Sequence, residues 1–292
     1  MEYRVLKYFI TVAQEENITR AAEILHTSQS NLSRQLADLE RQVDKKLFER
    51  GSRKIVLTEE GMFLHKRAKE IIELTERTET ELIAFNRTTG GTVHIGAAET
   101  HAMKLLGEVM LSLREHYPHI QYDIFSGSTL EVTEQLNKGL LDFGVLVAPV
   151  DLQDYDYLQL PVKDIFGVVM RKDSPLAKLD VITPDDIKNE PVLCSKQQLD
   201  GNVLSGWLGD DIQSLNIIST FNLITTPAML VEAGLGYAFA FDKLVNVTGS
   251  SNLCFRPLEP TIETGLYLVW KKYQIFTPAS KIFLEKIREQ LF

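Results

Sequence analysis

Cys194 and Cys254 are the only cysteines in 292 residues. So few exclude the disulfide framework of a small secreted domain and point to a reducing compartment. No apolar run reaches the ~18 residues that a membrane span needs. The amino terminus carries Glu2 and Arg4 and enters an amphipathic pattern directly, without the apolar stretch of an export signal. A cytoplasmic protein with no membrane partner is expected. Proline is missing until Pro118, which leaves room for long unbroken helices. Cations are in deficit, with 31 Lys and Arg against 40 Asp and Glu and a formal net charge of −9. That excludes a bulk positive field as the means of holding a nucleic acid. Nucleophile elbow, zinc-protease motif and phosphate loop are all missing, and His116 and His119 beside Tyr117-Pro118 have no second pair of metal ligands. Neither catalysis nor a cofactor nor a metal is expected, and the two thiols are expected to be small buried groups.

Hydrophobic content of 44% and aromatic content of 9% are those of a globular protein. The length suggests two or three domains. The most informative stretch is 18–58. Within it Leu32, Leu36, Leu39 and Val43 recur at spacings of four, three and four, one apolar stripe of a helix. The other face begins with Gln29, Ser30, Ser33 and Arg34, hydrogen-bonding groups rather than a solubilising mixture of Lys and Glu. Thr27 or Ser28 is placed to cap the first turn. Upstream, residues 19–25 form a shorter helix on Ala21, Ala22 and Leu25, whose small alanines allow a close crossing. Two helices joined by a short turn, the second with a polar leading face, match the helix-turn-helix pattern that enters the DNA major groove; an ordinary amphipathic helix pair has the same periodicity. Residues 1–16 supply a packing helix on Leu6, Phe9, Ile10 and Ala13. After Leu47-Phe48, the basic turn Glu49-Arg50-Gly51-Ser52-Arg53-Lys54 precedes Ile55-Val56-Leu57, two short strands and a loop able to lie on phosphates. Residues 1–57 hold ten Lys and Arg against eight Asp and Glu, so the basic surplus is local and small. Affinity must then come from the placement of a few cations and from two copies.

Phe9, Val12-Ala13, Thr19-Arg20-Ala21-Ala22, Leu25, Ser28-Gln29, Leu32-Ser33-Arg34-Gln35, Leu39-Glu40, Leu47-Phe48-Glu49-Arg50, Leu57-Thr58-Glu59 and Gly61 follow one another without gaps. In this order they resemble the N-terminal domain of the LysR-type transcriptional regulators. Departures fall at Ser30, where the family usually has proline, at Asn31, often alanine there, and at Asp44, usually glycine. The first two lie on or beside the DNA-facing turn and bear on sequence preference rather than on fold.

From Thr58 the pattern becomes one long helix, capped by Thr58 with Glu59 and Glu60 in its first turn. Leu64, Ala68, Ile71, Thr75, Thr78, Leu82 and Phe85 keep heptad spacing, which suggests a coiled-coil seam; a helix packed on its own domain is the alternative. A dimer held this way sets two recognition helices at a fixed separation and calls for an operator of two half-sites. Thr88-Thr89-Gly90-Gly91 marks a boundary. Beyond it strand (93–96), helix (102–117), strand (121–125), helix (130–140) and strand (141–147) imply a parallel sheet. Pro161 and a strand at 166–170 open a second unit of the same kind, and a strand at 266–270 and a helix at 278–291 bring the chain back. Gly139-Leu140-Leu141-Asp142-Phe143-Gly144-Val145 and Val231-Glu232-Ala233-Gly234-Leu235-Gly236-Tyr237-Ala238 are similar to the periplasmic-binding-protein-like effector domain of the same regulators.

The expected architecture is α/β: a winged helix-turn-helix domain (1–58), a linker and dimerisation helix (59–89) and a two-lobed effector domain (90–292), with lobe I at 90–161 and 266–292 and lobe II at 162–265. DNA contacts are expected from Gln29, Ser30, Asn31, Ser33, Arg34, Arg50, Arg53 and Lys54. Polar residues at strand ends, Thr100, Ser126, Ser128, Thr129, Ser195 and Thr225, offer hydroxyls and free helix-start N–H groups that suit an anion, although each alone is an ordinary cap and Glu99 opposes an anion. The resemblance implies effector contacts at Thr100, Ser128 and Thr129, a tetramer of two dimers, and RNA polymerase as a further partner. The function that follows is a sequence-specific DNA-binding transcriptional regulator responding to a small-molecule effector. The rival is a small-molecule-binding protein or enzyme with an N-terminal helical extension.

Overall fold

The computed structural model describes residues 1–50, 54–84, 90–200, 202–209 and 215–292. The chain divides into two compact units, Met1–Ile83 and Ala84–Phe292. The first contains α1 (Tyr3–Glu15), α2 (Ile18–Ile24), α3 (Gln29–Val43), β1 (Phe48–Arg50), β2 (Ile55–Leu57) and α4 (Glu59–Ala84). Side-chain oxygens start three of its helices. Asn17 accepts from the Arg20 N–H, Ser28 from Asn31 and Thr58 from Gly61, each supplying an acceptor that the first helical turn lacks. The apolar stripes of α1 and α3 meet over Ala21 and Ala22, and Phe9 packs on Phe48 with ring centroids 5.1 Å apart. A β-carbon at Gly61 would stand 2.1 Å from the Leu47 carbonyl oxygen, so only glycine lets α4 pass the base of the wing.

The heptad reading needs a correction at its beginning. Ala68 is fully buried and Leu64 half-buried in the core of this same unit, so the first turns of the helix pack on their own domain. Further on, Ile71, Leu74, Leu82 and Ile83 are exposed. Phe85 lies outside the described residues, as do Thr88 and Thr89 of the expected boundary.

The second unit runs β3 (Gly90–Ala97), α5 (Ala102–His116), β4 (His119–Ser126), α6 (Thr129–Asn137), β5 (Phe143–Val147), β6 (Tyr155–Arg171), α7 (Pro184–Ile187), β7 (Pro191–Ser195), α8 (Lys196–Asp200), α9 (Asn202–Trp207), β8 (Asn216–Phe221), α10 (Thr225–Glu232), β9 (Tyr237–Phe241), β10 (Leu253–Pro257), β11 (Glu263–Lys271) and α11 (Pro278–Leu291). Pairing follows the order β4-β3-β5-β11-β6-β9-β7-β8, with β10 also on β6. The strands β3, β4 and β5 are parallel, as are β7, β8 and β9. Between these two groups β6 and β11 run antiparallel and carry the chain across. The expected strand opening at Phe166 is too short. β6 begins at Tyr155 and continues through Pro161, which sits opposite the register shift between Gly265 and Tyr267. There an N–H is not required, and proline is tolerated.

The lobe built on β3, β4 and β5 buries Phe143 against Trp270, Phe276 and Phe283. Asp142, buried in the first of the two C-terminal motifs, accepts from the His94 N–H at 3.0 Å and from the Ser280 hydroxyl at 2.9 Å, tying α11 to β3. The lobe built on β7, β8 and β9 packs Phe166 and Phe239 in a stack beside Trp207. Both cysteines are buried and free, and burial pushes the Cys194 thiol up to about 12. Gly234, at a φ of +92°, turns the chain from α10 toward β9.

Candidate nucleic-acid interface and effector cleft

The beginning of α3 is an exposed polar surface. Gln29, Ser30 and Arg34 are exposed, while Leu32, Leu36 and Leu39 of the apolar stripe are buried in the core and its last member, Val43, is exposed. Arg34 stands apart electrostatically. Among the described side chains of residues 1–57, Arg4, Lys7, Arg20, Arg41, Lys45, Lys46 and Lys54 each have a carboxylate within ion-pair distance, and Arg34 has none. Among the described side chains Arg34 is thereby an uncompensated guanidinium beside hydrogen-bonding groups.

The other expected contacts are distributed less simply. The Asn31 side-chain amide donates to the Thr27 hydroxyl at 3.0 Å, and Ser28 and Ser30 place their hydroxyls 3.2 Å apart, so this turn is internally organised. Ser33 is half-buried and lines a crevice of about 290 Å³ with Ile18, Ala37, Glu40 and Phe48, facing the wing rather than open solvent. Lys54 is exposed and pairs with Glu16, whose carbonyl also accepts from the Ile55 N–H. Arg53 and the side chain of Arg50 lie outside the described residues.

Glu40 was legible only as part of a motif, and the structure explains it. One carboxylate oxygen accepts from the N–H groups of Leu47 (2.8 Å) and Phe48 (3.3 Å), and the other from Lys46 (2.8 Å). Burial opposes its charge, but these three donors outweigh burial and hold its pKa below the usual carboxylate value. This side chain joins the recognition helix to the first strand of the wing.

In the second unit a cavity of about 140 Å³ opens between the lobes. Phe166, Phe221, Phe239 and Phe241 supply rings to it, and Glu99, Ser128, Ser195, Gln197, Gln198 and Thr264 supply polar groups. Two bridges cross it from lobe to lobe. The Glu99 carboxylate accepts from the Ile224 N–H at 2.6 Å, at the start of α10. Gln197 accepts from the Thr129 N–H at 3.1 Å and donates to the Thr129 hydroxyl at 3.0 Å. Burial raises the pKa of Glu99 against the opposing pull of the Ile224 N–H. Behind it burial also raises that of Asp164, which Thr100 counters and the nearby Asp242 reinforces.

The six expected effector residues separate here. Ser128 and Ser195 line the cavity, and Thr129 holds a bridge across it. Thr100 is buried, accepting from the Ala102 N–H, and is not in the lining; Ser126 and Thr225 are exposed and outside it. Four of the N–H groups at these helix starts are already taken. The N–H of Ser128 goes to Glu131, that of Glu131 to Ser128, that of Thr129 to Gln197, and that of Ser195 to Gln198. These four donors are taken within the protein, which leaves fewer for an anion. Glu99 and Gln197 carry the inter-lobe contacts instead, and only a polar residue at each strand end or helix start hinted at them.

Among the described residues no group of three or more His, Cys, Asp or Glu is arranged to hold a metal ion, and no helix is long and apolar enough to cross a membrane.

Residues 3–62 match the family described as "Bacterial regulatory helix-turn-helix protein, lysR family", and residues 86–292 match "LysR substrate binding domain". The chain is 30% identical to the Hca operon transcriptional activator HcaR of Escherichia coli K12, over 100% of this chain and 98% of HcaR. It is 26% identical to the regulator YvbU of Bacillus subtilis, with 97% of each covered. Among solved structures it is similar to full-length CbnR in complex with its target DNA, at 20% identity and a TM-score of 0.76, with 99% of each chain covered. HinK, a LysR family transcriptional regulator of Pseudomonas aeruginosa, superposes with a TM-score of 0.57 at 21% identity, over 99% of this chain and 98% of that one.

Proposed function

The chain belongs to the LysR family of DNA-binding transcriptional regulators, which carry an effector-binding domain and are not enzymes, and from that premise we propose how its residues divide the work. Gln29 makes paired hydrogen bonds to an adenine edge, Ser30 adds a contact beside it, and Arg34 reaches a guanine edge or phosphate. Asn31 and Ser33 act mainly by fixing the start of α3 and its seat against the wing. Arg50, Arg53 and Lys54 hold the backbone or minor groove. The observation that carries this reading is the exposed, uncompensated Arg34 on the same helical face as Gln29 and Ser30.

Two copies joined along the exposed part of α4, through Ile71, Leu74 and Leu82, give an operator of two half-sites. Two such dimers make the tetramer, and the complex meets RNA polymerase in the cytoplasm. An effector seated in the cleft between lobes that we place at 90–161 with 266–292 and at 162–265 competes with or reinforces the Glu99 and Gln197 bridges. Lobe closure thereby changes the spacing or bend imposed on DNA. Gel-shift titration of Gln29→Ala and Arg53→Ala tests the assignment. Gln29→Ala weakens binding to a selected operator far more than to random duplex, whereas Arg53→Ala weakens both alike. Equal losses of specificity in the two variants would remove the assigned roles.

A further inference from the structure

Resting on the reading of the inter-lobe cavity as the effector site, we infer the chemical class of its ligand: a small aromatic molecule whose head group is a hydrogen-bond donor, an amine or a hydroxyl, and not a carboxylate.

Size comes first. A cavity of about 140 Å³ is that of a single ring with a head group of two or three heavy atoms, since an apolar cavity near 150 Å³ accommodates benzene. Its walls decide the body of the ligand. Phe166 and Phe239 lie nearly parallel with centroids 6.0 Å apart, and Phe241 meets Phe166 edge-on at 5.3 Å. All three rings line the space, which suits another ring in stacked or edge-to-face contact.

The polar groups decide the head. Among the described lining residues Glu99 is the one charged side chain, and neither Lys nor Arg is present. Asp164 and Asp242 stand behind the crossover, and the lysine nearest them, Lys243, is already paired with Asp242 at 2.8 Å. Of the helix-start N–H groups, those of Ser128, Thr129 and Ser195 are already taken by Glu131, Gln197 and Gln198. A carboxylate in this space would face Glu99 with no counter-charge. A donor head has two acceptors waiting. One is the Glu99 carboxylate, which selects against an acceptor-only head, and the other is the Thr264 hydroxyl, buried in the lining with no hydrogen-bond partner among the described residues and able to accept or donate. A buried hydroxyl left without a partner is unfavourable, and a ligand head that meets it removes that cost.

The test uses the full-length protein and three probes of matched size, benzylamine, benzyl alcohol and benzoate, by calorimetric titration and thermal shift. Benzylamine or benzyl alcohol binds at least about tenfold tighter than benzoate, the ratio expected from one like-charge encounter of more than about 1.4 kcal/mol. Glu99→Gln, which keeps an acceptor for Ile224, reduces that preference severalfold. Benzoate binding as tightly as the other two overturns the proposal, and so does the failure of every probe to bind at about 10 mM. Ala98→Leu, which adds bulk to the cavity wall, separates the two levels. If it abolishes binding and the wild type prefers benzoate, the cleft is the site and the ligand class is wrong. If binding is unchanged, the cleft reading itself fails. Near-ultraviolet circular dichroism of both variants shows whether lost binding is lost folding.

Discussion

Removing the carboxylate of Glu40 is expected to loosen the wing without unfolding the helices. Its side chain is only 14% exposed, and it accepts from two backbone N–H groups at the entry to β1 as well as from Lys46. Hydrogen bonds to a charged group contribute about 1.5–3 kcal/mol. In Glu40→Ala the N–H groups of Leu47 and Phe48 lose their acceptor together, a local cost of about 2–3 kcal/mol. Hydrogen exchange should then accelerate about 30- to 150-fold at these two amides, at about 1.4 kcal/mol per tenfold. Glu40→Gln keeps one oxygen acceptor and should cost about 1 kcal/mol, roughly fivefold. The pH dependence has a definite sign. The folded pKa is lowered, so the contribution is complete above the unfolded value of about 4.3 and is lost as pH falls through the lower folded value. Protection at Leu47 and Phe48 should therefore decline in acid for the wild type and stay flat in Glu40→Gln. Wild-type protection of both amides in Glu40→Ala would refute the coupling between α3 and the wing.

Other perturbations probe separate parts of the molecule. Leu74→Glu and Leu82→Glu, at exposed positions of α4, should each raise the dimer dissociation constant about ten- to a hundredfold in sedimentation equilibrium, from the ~1.5–3 kcal/mol of one buried leucine; an unchanged dimer would move the seam elsewhere. Asp44 ends α3 at a φ of 51°, so Asp44→Gly should stabilise by about 0.5–1 kcal/mol in thermal unfolding, and destabilisation would show that the aspartate has a compensating contact. Gln197→Ala removes both bonds to Thr129 and should speed exchange of the Thr129 amide about tenfold; unaltered exchange would show that this bridge does not hold the lobes.

What the sequence revealed depended on whether the signal was local. The cap at Ser28, the stripe Leu32-Leu36-Leu39 and the short wing strands are near-neighbour patterns, and each is found where expected. The family rests instead on the order of residues from Phe9 to Gly61, whose resemblance agrees with the family matches over both parts of the chain. The heptad of α4 misleads at its start because a spacing of three and four does not say which surface is covered. Leu64 and Ala68 meet their own domain, and the exposed stripe begins only at Ile71. Pro161 reads as a break because its neutrality within a strand depends on an irregularity in β11, about a hundred residues away. The cleft is the least legible part. That the Thr129 N–H at the start of α6 is taken depends on Gln197, 68 residues away, and no local pattern encodes such a partner.

Two copies of the α3 face reading bases in a symmetric site is the centre of this mechanism, and selection of bound duplexes from a random pool by the full-length protein tests it most directly. The expected result is enrichment of two related half-sites in two-fold arrangement, with the preferred base changed or lost opposite residue 29 in Gln29→Ala. A pool that stays random after repeated rounds, or one unpaired motif bound by a single chain, would contradict it.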